Sequence, residues 1–185
     1  MGNFIFILGG ARSGKSAYAQ ARAKEESKEV TYIATAEIGD AEMRKRIAKH
    51  ISSRPKHWKT IEEPLNLIGA IERCKGKTKV ILIDCLTLYL SNMMLKGMKA
   101  FSIQKTIKDL ARYMAGLAHT VFLISNEVGL GIVPENKMAR EFRDIAGLAN
   151  QIMAKSADEV IFMQAGIPLT LKKGELDGEV KADSK

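Results

Sequence analysis

The sequence predicts an α/β protein in which a mostly parallel β-sheet carries helices on both faces. Three observations point there. Short, nearly uninterrupted apolar runs recur along the 185 residues, as they do in strands buried on both sides. Between them the apolar spacing changes to that of a helix. A glycine-rich segment separates the first run from the helix after it.

The runs are "NFIFIL" (3–8), "VTYIA" (30–34), "KVILID" (79–84), "TVFLIS" (120–125) and "EVIFM" (159–163). A helix is expected from about Lys15 to Lys24. Another is marked by Ile103, Ile107, Leu110, Met114 and Leu117, stepping by 4, 3, 4, 3, with Ser102 placed as its N-cap. Met138, Phe142, Ile145, Ala149 and Ile152 repeat that spacing after Pro134, which suits a first helical turn. "PLTLK" (168–172) adds a possible last strand. Alternation of this kind argues for parallel pairing with crossover helices. Residues 1–173 are read as one domain and 174–185 as a polar tail with little to bury.

Composition sets the outer limits. With 46% hydrophobic and 27% charged residues, the chain is ordinary for one globular domain. Its longest apolar run, residues 4–8, is far short of the roughly 20 residues that span a bilayer. The first residues lack the regions of a signal peptide, so a soluble cytoplasmic protein is expected. Cys74 and Cys85 have no second metal-type pair, and Cys85 ends an apolar run, so buried thiols are expected. The net charge of +8 suits polyanions, nucleotides or nucleic acid. The lysines are scattered and aromatics are only 6%, which counts against nucleic acid.

After the first strand stand Gly9, Gly10, Ala11, Arg12, Ser13, Gly14, Lys15 and Ser16, a full match to G-x-x-x-x-G-K-[ST]. Glycines let successive N–H groups turn toward phosphate oxygens, and the following helix adds its positive end. Lys15 would reach the β- and γ-phosphates and Ser16 a Mg²⁺ ion. The fold class narrows to a P-loop NTPase with a RecA-like sheet. Such sites add an acid at a neighbouring strand end, and Asp84 is placed for it. Other strand ends lie on the same ligand-binding edge, which makes Ala34, Thr35, Ala36 and the Ser125-Asn126-Glu127 stretch candidates as well. A GTPase switch is disfavoured, because Asn136-Lys137-Met138-Ala139 lacks the aspartate of N-K-x-D. A recombinase-like ATPase usually needs more chain, so a small-molecule transferase fits better.

Two of the three histidines, His50 and His57, fall within "RIAKHISSRPKHW" (46–58). Residues 40–52 read as a helix with Asp40 as N-cap and Met43, Ile47 and Ile51 on one stripe. His50 lies on the stripe side, and Arg54-Pro55 ends the helix. Spacing alone leaves His50 as a core residue, base, phosphate ligand or nucleophile. His57 is expected to be structural. His119 is read as a cation at a helix C-terminus.

"GGARSGKS" (9–16), "YIATAE" (32–37), "RIAKHISSRPKHW" (46–58), "SNEVGLGIVPEN" (125–136) and "AREFRDIAGLANQ" (139–151) come in a telling order and spacing. The chain resembles the bifunctional adenosylcobinamide kinases / adenosylcobinamide-phosphate guanylyltransferases over about residues 3–171. That resemblance implies phosphorylation of adenosylcobinamide with ATP or GTP. It further implies transfer of GMP from GTP to the resulting phosphate, through a GMP–histidine intermediate on His50. Catalytic roles fall on His50 and Lys15. Ile51, Ser52, Ser53 and Arg54 would flank the nucleotide, with Glu62, at the "TIEEP" turn, and Asp84 near the guanine or the metal. Some members have a histidine immediately before the nucleophile; here Lys49 stands there. "SNEVGLGIVPEN" suits a lid or a corrinoid-facing wall. The resemblance also implies a trimer; no nucleic-acid partner is expected from the scattered charge and few aromatics, and no membrane span from the short apolar runs.

Overall fold

The structure, a computed structural model, describes residues 2–37 and 54–174. In chain order the elements are β1 (Asn3–Gly9), α1 (Lys15–Glu26), β2 (Val30–Ala34), β3 (Lys59–Glu62), α2 (Leu67–Cys74), β4 (Val80–Asp84), α3 (Leu86–Leu95), α4 (Ala100–Ala115), β5 (Thr120–Ile124), α5 (Lys137–Ser156), β6 (Glu159–Gln164) and β7 (Ile167–Lys173). They build one sheet in the order β3-β2-β4-β5-β1-β6-β7. Every pairing is parallel except β6 with β7. The expected α/β class is what the chain adopts.

The central strands are apolar almost throughout because both faces are covered. Phe4, Phe6, Ile81, Ile83, Val121 and Leu123 pack on one side with α2, α3, α4 and α5. Ile5, Ile7, Leu82, Phe122 and Ile161 pack on the other with Ala19 and Ala23 of α1 and with Trp58. The β6–β7 hairpin turns through Ala165 and Gly166, both at positive φ (51° and 84°), as a two-residue turn between twisted strands requires.

Several boundaries differ from the sequence reading. Ser102 does not cap α4: the helix begins at Ala100 from Lys99, with no side-chain cap, and Ser102 lies in its first turn. The apolar stripe from Ile103 marks the buried face, not the helix end. Pro134 also precedes its helix; Asn136 caps α5 by accepting from the Ala139 N–H. Met138 is 58% exposed and leaves the stripe. The buried residues of α5 are Ala146, Ala149, Asn150 and Met153. His119 lies beyond the C-cap Gly116 of α4, not in its last turn. The "TIEEP" stretch is no simple turn, since Glu62 closes β3. The expected helix 40–52, with His50, Ile51 and Ser52, and the tail from 175 lie outside the described residues, as does Ser53.

Candidate active site

The carboxyl edge of the sheet gathers the site. Register places Ala34 beside Glu62 on one flank and Asp84 on the other, with Asp84 next to Ile124. At the end of β1, Gly9 (φ 151°) has no room for a side chain, because a Cβ would run into the Met163 carbonyl of β6. There the chain leaves the sheet as the phosphate loop. Gly14, at φ 97°, is the N-cap of α1. A Gly166 N–H bond to the Ser13 carbonyl (3.0 Å) props the loop against the β6–β7 turn.

Lys15 is 7% exposed and donates from Nζ to the Gly10 carbonyl (2.6 Å) and to Ser13 Oγ (3.4 Å). Burial pushes its pKa down, opposed by the charges of Cys85 and Asp84. The ammonium is therefore held over its own loop by neutral oxygens, which anionic phosphates can replace. One residue on, Ser16 Oγ donates to Asp84 Oδ2 at 2.9 Å, although the two are 68 residues apart. Tyr32 donates to the same Oδ2 at 2.7 Å. Burial and then the Asp84 charge push the phenol pKa up, so Tyr32 remains a donor. The Arg54 guanidinium lies 3.4 Å from the centre of the Tyr32 ring. Its Nε is buried without a hydrogen-bond partner among the described residues.

The other expected residues are placed unequally. Thr35 is fully buried and ties β2 to α3: its Oγ1 donates to the Cys85 carbonyl and accepts from the Cys85 N–H, both at 2.7 Å. Ala34 and Ala36 are half-buried, while Ala11 and Arg12 are exposed on the loop. Glu62 is exposed. Its neighbour Glu63 is held by Arg73 at 2.9 Å and by the N–H groups of Leu65 and Asn66. These bonds outweigh the upward push of burial and keep that carboxyl below its usual pKa. Both cysteines are free and buried, as expected. The Cys85 thiol is pushed up to about 11 by burial and the nearby Asp84, which removes it as a nucleophile at neutral pH.

Ser125, Asn126 and Glu127 follow β5 and are locked by α5. Ser125 Oγ donates to Asn150 Oδ1 (2.8 Å), and Asn150 Nδ2 reaches the Asn126 carbonyl (3.3 Å) and Glu127 Oε2 (3.4 Å). The Glu127 N–H bonds the Gly9 carbonyl at 3.0 Å, so this loop starts beside the phosphate loop. Sequence reasoning missed Asn150 and Tyr32. A tyrosine inside a strand next to that of Asp84 was the available signal, because a buried hydroxyl needs a partner.

A hydroxyl and a carboxylate oxygen set side by side fit Mg²⁺, a hard cation that takes few protein ligands and keeps phosphate and water oxygens. Among the described residues no group of three or more His, Cys, Asp or Glu is arranged for a metal.

The family model described as CobU, cobinamide kinase / cobinamide phosphate guanyltransferase, matches residues 5–171. The chain belongs to this family. Relatives of the cobinamide kinase family include the bifunctional adenosylcobalamin biosynthesis protein CobP of Pseudomonas aeruginosa. It is 42% identical over 166 residues, covering 90% of this chain and 95% of that protein. The bifunctional CobU proteins of Escherichia coli and Salmonella typhimurium are each 38% identical, covering 91% of this chain and 99% of theirs. The resemblance read from the motifs is borne out. The stretch matched to the cobinamide kinase family runs from β1 into β7 and so includes the phosphate loop, Tyr32 and Asp84. Among the described residues no helix is long and apolar enough to cross a membrane.

Proposed function

We propose that this chain phosphorylates adenosylcobinamide with ATP or GTP and then transfers GMP from GTP to that phosphate, giving adenosylcobinamide-GDP and pyrophosphate. The observation that carries the reading is a phosphate loop joined to a strand-end acid through the Ser16–Asp84 bond, in a chain of the cobinamide kinase family.

In the kinase step, the substrate hydroxyl oxygen bonds to the γ-phosphorus, the bond to the β-phosphate oxygen breaks, and the hydroxyl proton is lost. Lys15 turns from its loop oxygens to the phosphates, and the N–H groups of the 9–16 loop hold their charge. In the second reaction, a neutral His50 nitrogen attacks the α-phosphorus of GTP and pyrophosphate leaves. The substrate phosphate oxygen then displaces the histidine, taking GMP with it. Ser16 and Asp84 would hold Mg²⁺, which when bound neutralises phosphate charge. Arg54, with Ile51, Ser52 and Ser53, would flank the nucleotide, and Glu62 would lie toward its guanine.

This reading carries a cytoplasmic location, where ATP and GTP are supplied, and no nucleic-acid partner. It also carries a trimer, supported by the exposed apolar side chains of Leu130, Ile132 and Val133 in the loop after β5, which suit burial against another surface. The test is incubation with adenosylcobinamide, ATP, GTP and Mg²⁺, with corrinoid products read by mass spectrometry. Successive appearance of the phosphate and the GDP derivative is expected. Accumulation of the phosphate alone would reduce the protein to a kinase, and no corrinoid turnover would overturn the reading.

A further inference from the structure

Asp84 is held from two sides. Ser16 Oγ belongs to the phosphate loop, but the second donor, Tyr32 OH, comes from the interior of β2. Parallel register sets Tyr32 beside Leu82, two residues before Asp84, so the side chain reaches along the sheet to the carboxylate. At 2% exposure the phenol has no water to turn to, and its bond to a carboxylate is of the strong, charge-assisted kind. Both donors use Oδ2, and among the described residues no hydrogen bond reaches the other carboxylate oxygen. The opposite end of the contact is Arg54, whose guanidinium stacks on the ring at 3.4 Å and whose Nε lacks a partner among the described residues.

We infer that Tyr32 is a positioning residue for metal-assisted nucleotide binding: its hydroxyl fixes the Asp84 carboxylate, and its ring seats Arg54 beside the same phosphates. This rests on the assignment of Ser16 and Asp84 to the metal. A hydroxyl that ligates a cation is a weaker anchor for its neighbour, whereas the tyrosine bond stays in place whether or not the cation is bound. Arg54 Nη1 reaches Thr60 Oγ1 at 3.5 Å, while its Nε, without a partner among the described residues, is a donor that a phosphate can satisfy.

Tyr32→Phe separates the two roles, because it keeps the ring under Arg54 and removes only the hydroxyl. The readout is binding of a fluorescent GTP analogue, titrated with Mg²⁺ and repeated in EDTA, so that no turnover is needed. The expected result is a Mg²⁺ midpoint raised about 10-fold or more, the usual effect of losing an outer hydrogen bond to a metal ligand. Binding in EDTA should match wild type. An unchanged midpoint, or equal weakening with and without Mg²⁺, overturns the proposal. Wild-type binding that ignores Mg²⁺ overturns the metal assignment and the proposal together, and leaves GMP transfer to be judged by its own assay. Should Tyr32→Phe fail to fold by circular dichroism, 3-fluorotyrosine at position 32 keeps the shape and alters only the donor. A shifted midpoint then supports the role, and an unshifted one refutes it.

Discussion

Lys15 holds a buried ammonium against neutral oxygens of its own loop, an arrangement that burial penalises until phosphate arrives. Lys15→Met should lower GTP-dependent turnover by about 100-fold or more, as for other lost donors to a developing anion. It should leave the ligand-free protein as stable as wild type or more so, by urea denaturation. Burial holds the folded-state pKa of Lys15 below the ordinary lysine value of 10.5. The unfolded chain therefore binds the extra proton between those two values, and this site's contribution to stability rises with pH across that window. The stability gap between Lys15→Met and wild type should shrink as the pH climbs toward 10.5. A gap that widens would contradict the desolvation account. Gly9→Ala tests the loop's close approach, since its Cβ meets the Met163 backbone at a positive φ. A loss of about 1–3 kcal/mol in unfolding free energy is expected. The loop residues were legible because glycine, lysine and serine at fixed spacing have one chemical use. Tyr32 was not, because in "VTYIA" it reads as one more apolar strand residue until β4 brings Asp84 to its hydroxyl.

At the scale of elements, the joints between the sheet edge and its helices carry the site. Asn92 of α3, 5% exposed, donates to the Thr35 carbonyl (2.7 Å) and the Pro64 carbonyl (3.1 Å). It thereby clamps the end of β2 to the segment before α2. Asn92→Ala leaves buried acceptors unmet and should cost about 1–3 kcal/mol, seen as a lower urea midpoint at unchanged slope. Unchanged stability would mean that water replaces the amide. The five strands read from the sequence are present because central parallel strands must be apolar on both faces. The three unread elements lack such a signature. β3 is four residues long with one half-buried position, Ile61. α2 is two turns long, and its Asn66 cap is visible only beside the helix it starts. "LTLYLSNMML" of α3 is buried on most sides, so its period is hidden. The stripe of α4 was readable because that helix buries one face and exposes the other.

For the molecule as a whole, Ser16, Tyr32 and Asp84 meet only because the order β2-β4-β5-β1 brings the ends of separate crossovers to one edge. The pattern of strands and helices foretold that edge, but not which side chains would touch across it. The net charge of +8 acts at the same scale by drawing in anionic nucleotides. GTP affinity should fall with added salt, while DNA should leave turnover unchanged; DNA-stimulated hydrolysis would favour a different partner. In solution, sedimentation should find a species of three times the 20.4 kDa chain mass, and a monomer would remove the trimer from the account. GMP transfer through His50 is open to a labelling experiment. Wild-type protein and His50→Ala are incubated with Mg²⁺ and GTP labelled at the α-phosphate, then denatured. Acid-labile, base-stable label is expected on the wild type, none on the variant, and none on either from γ-labelled GTP. Equal α-label on both proteins, or none on wild type that still binds GTP, would contradict it.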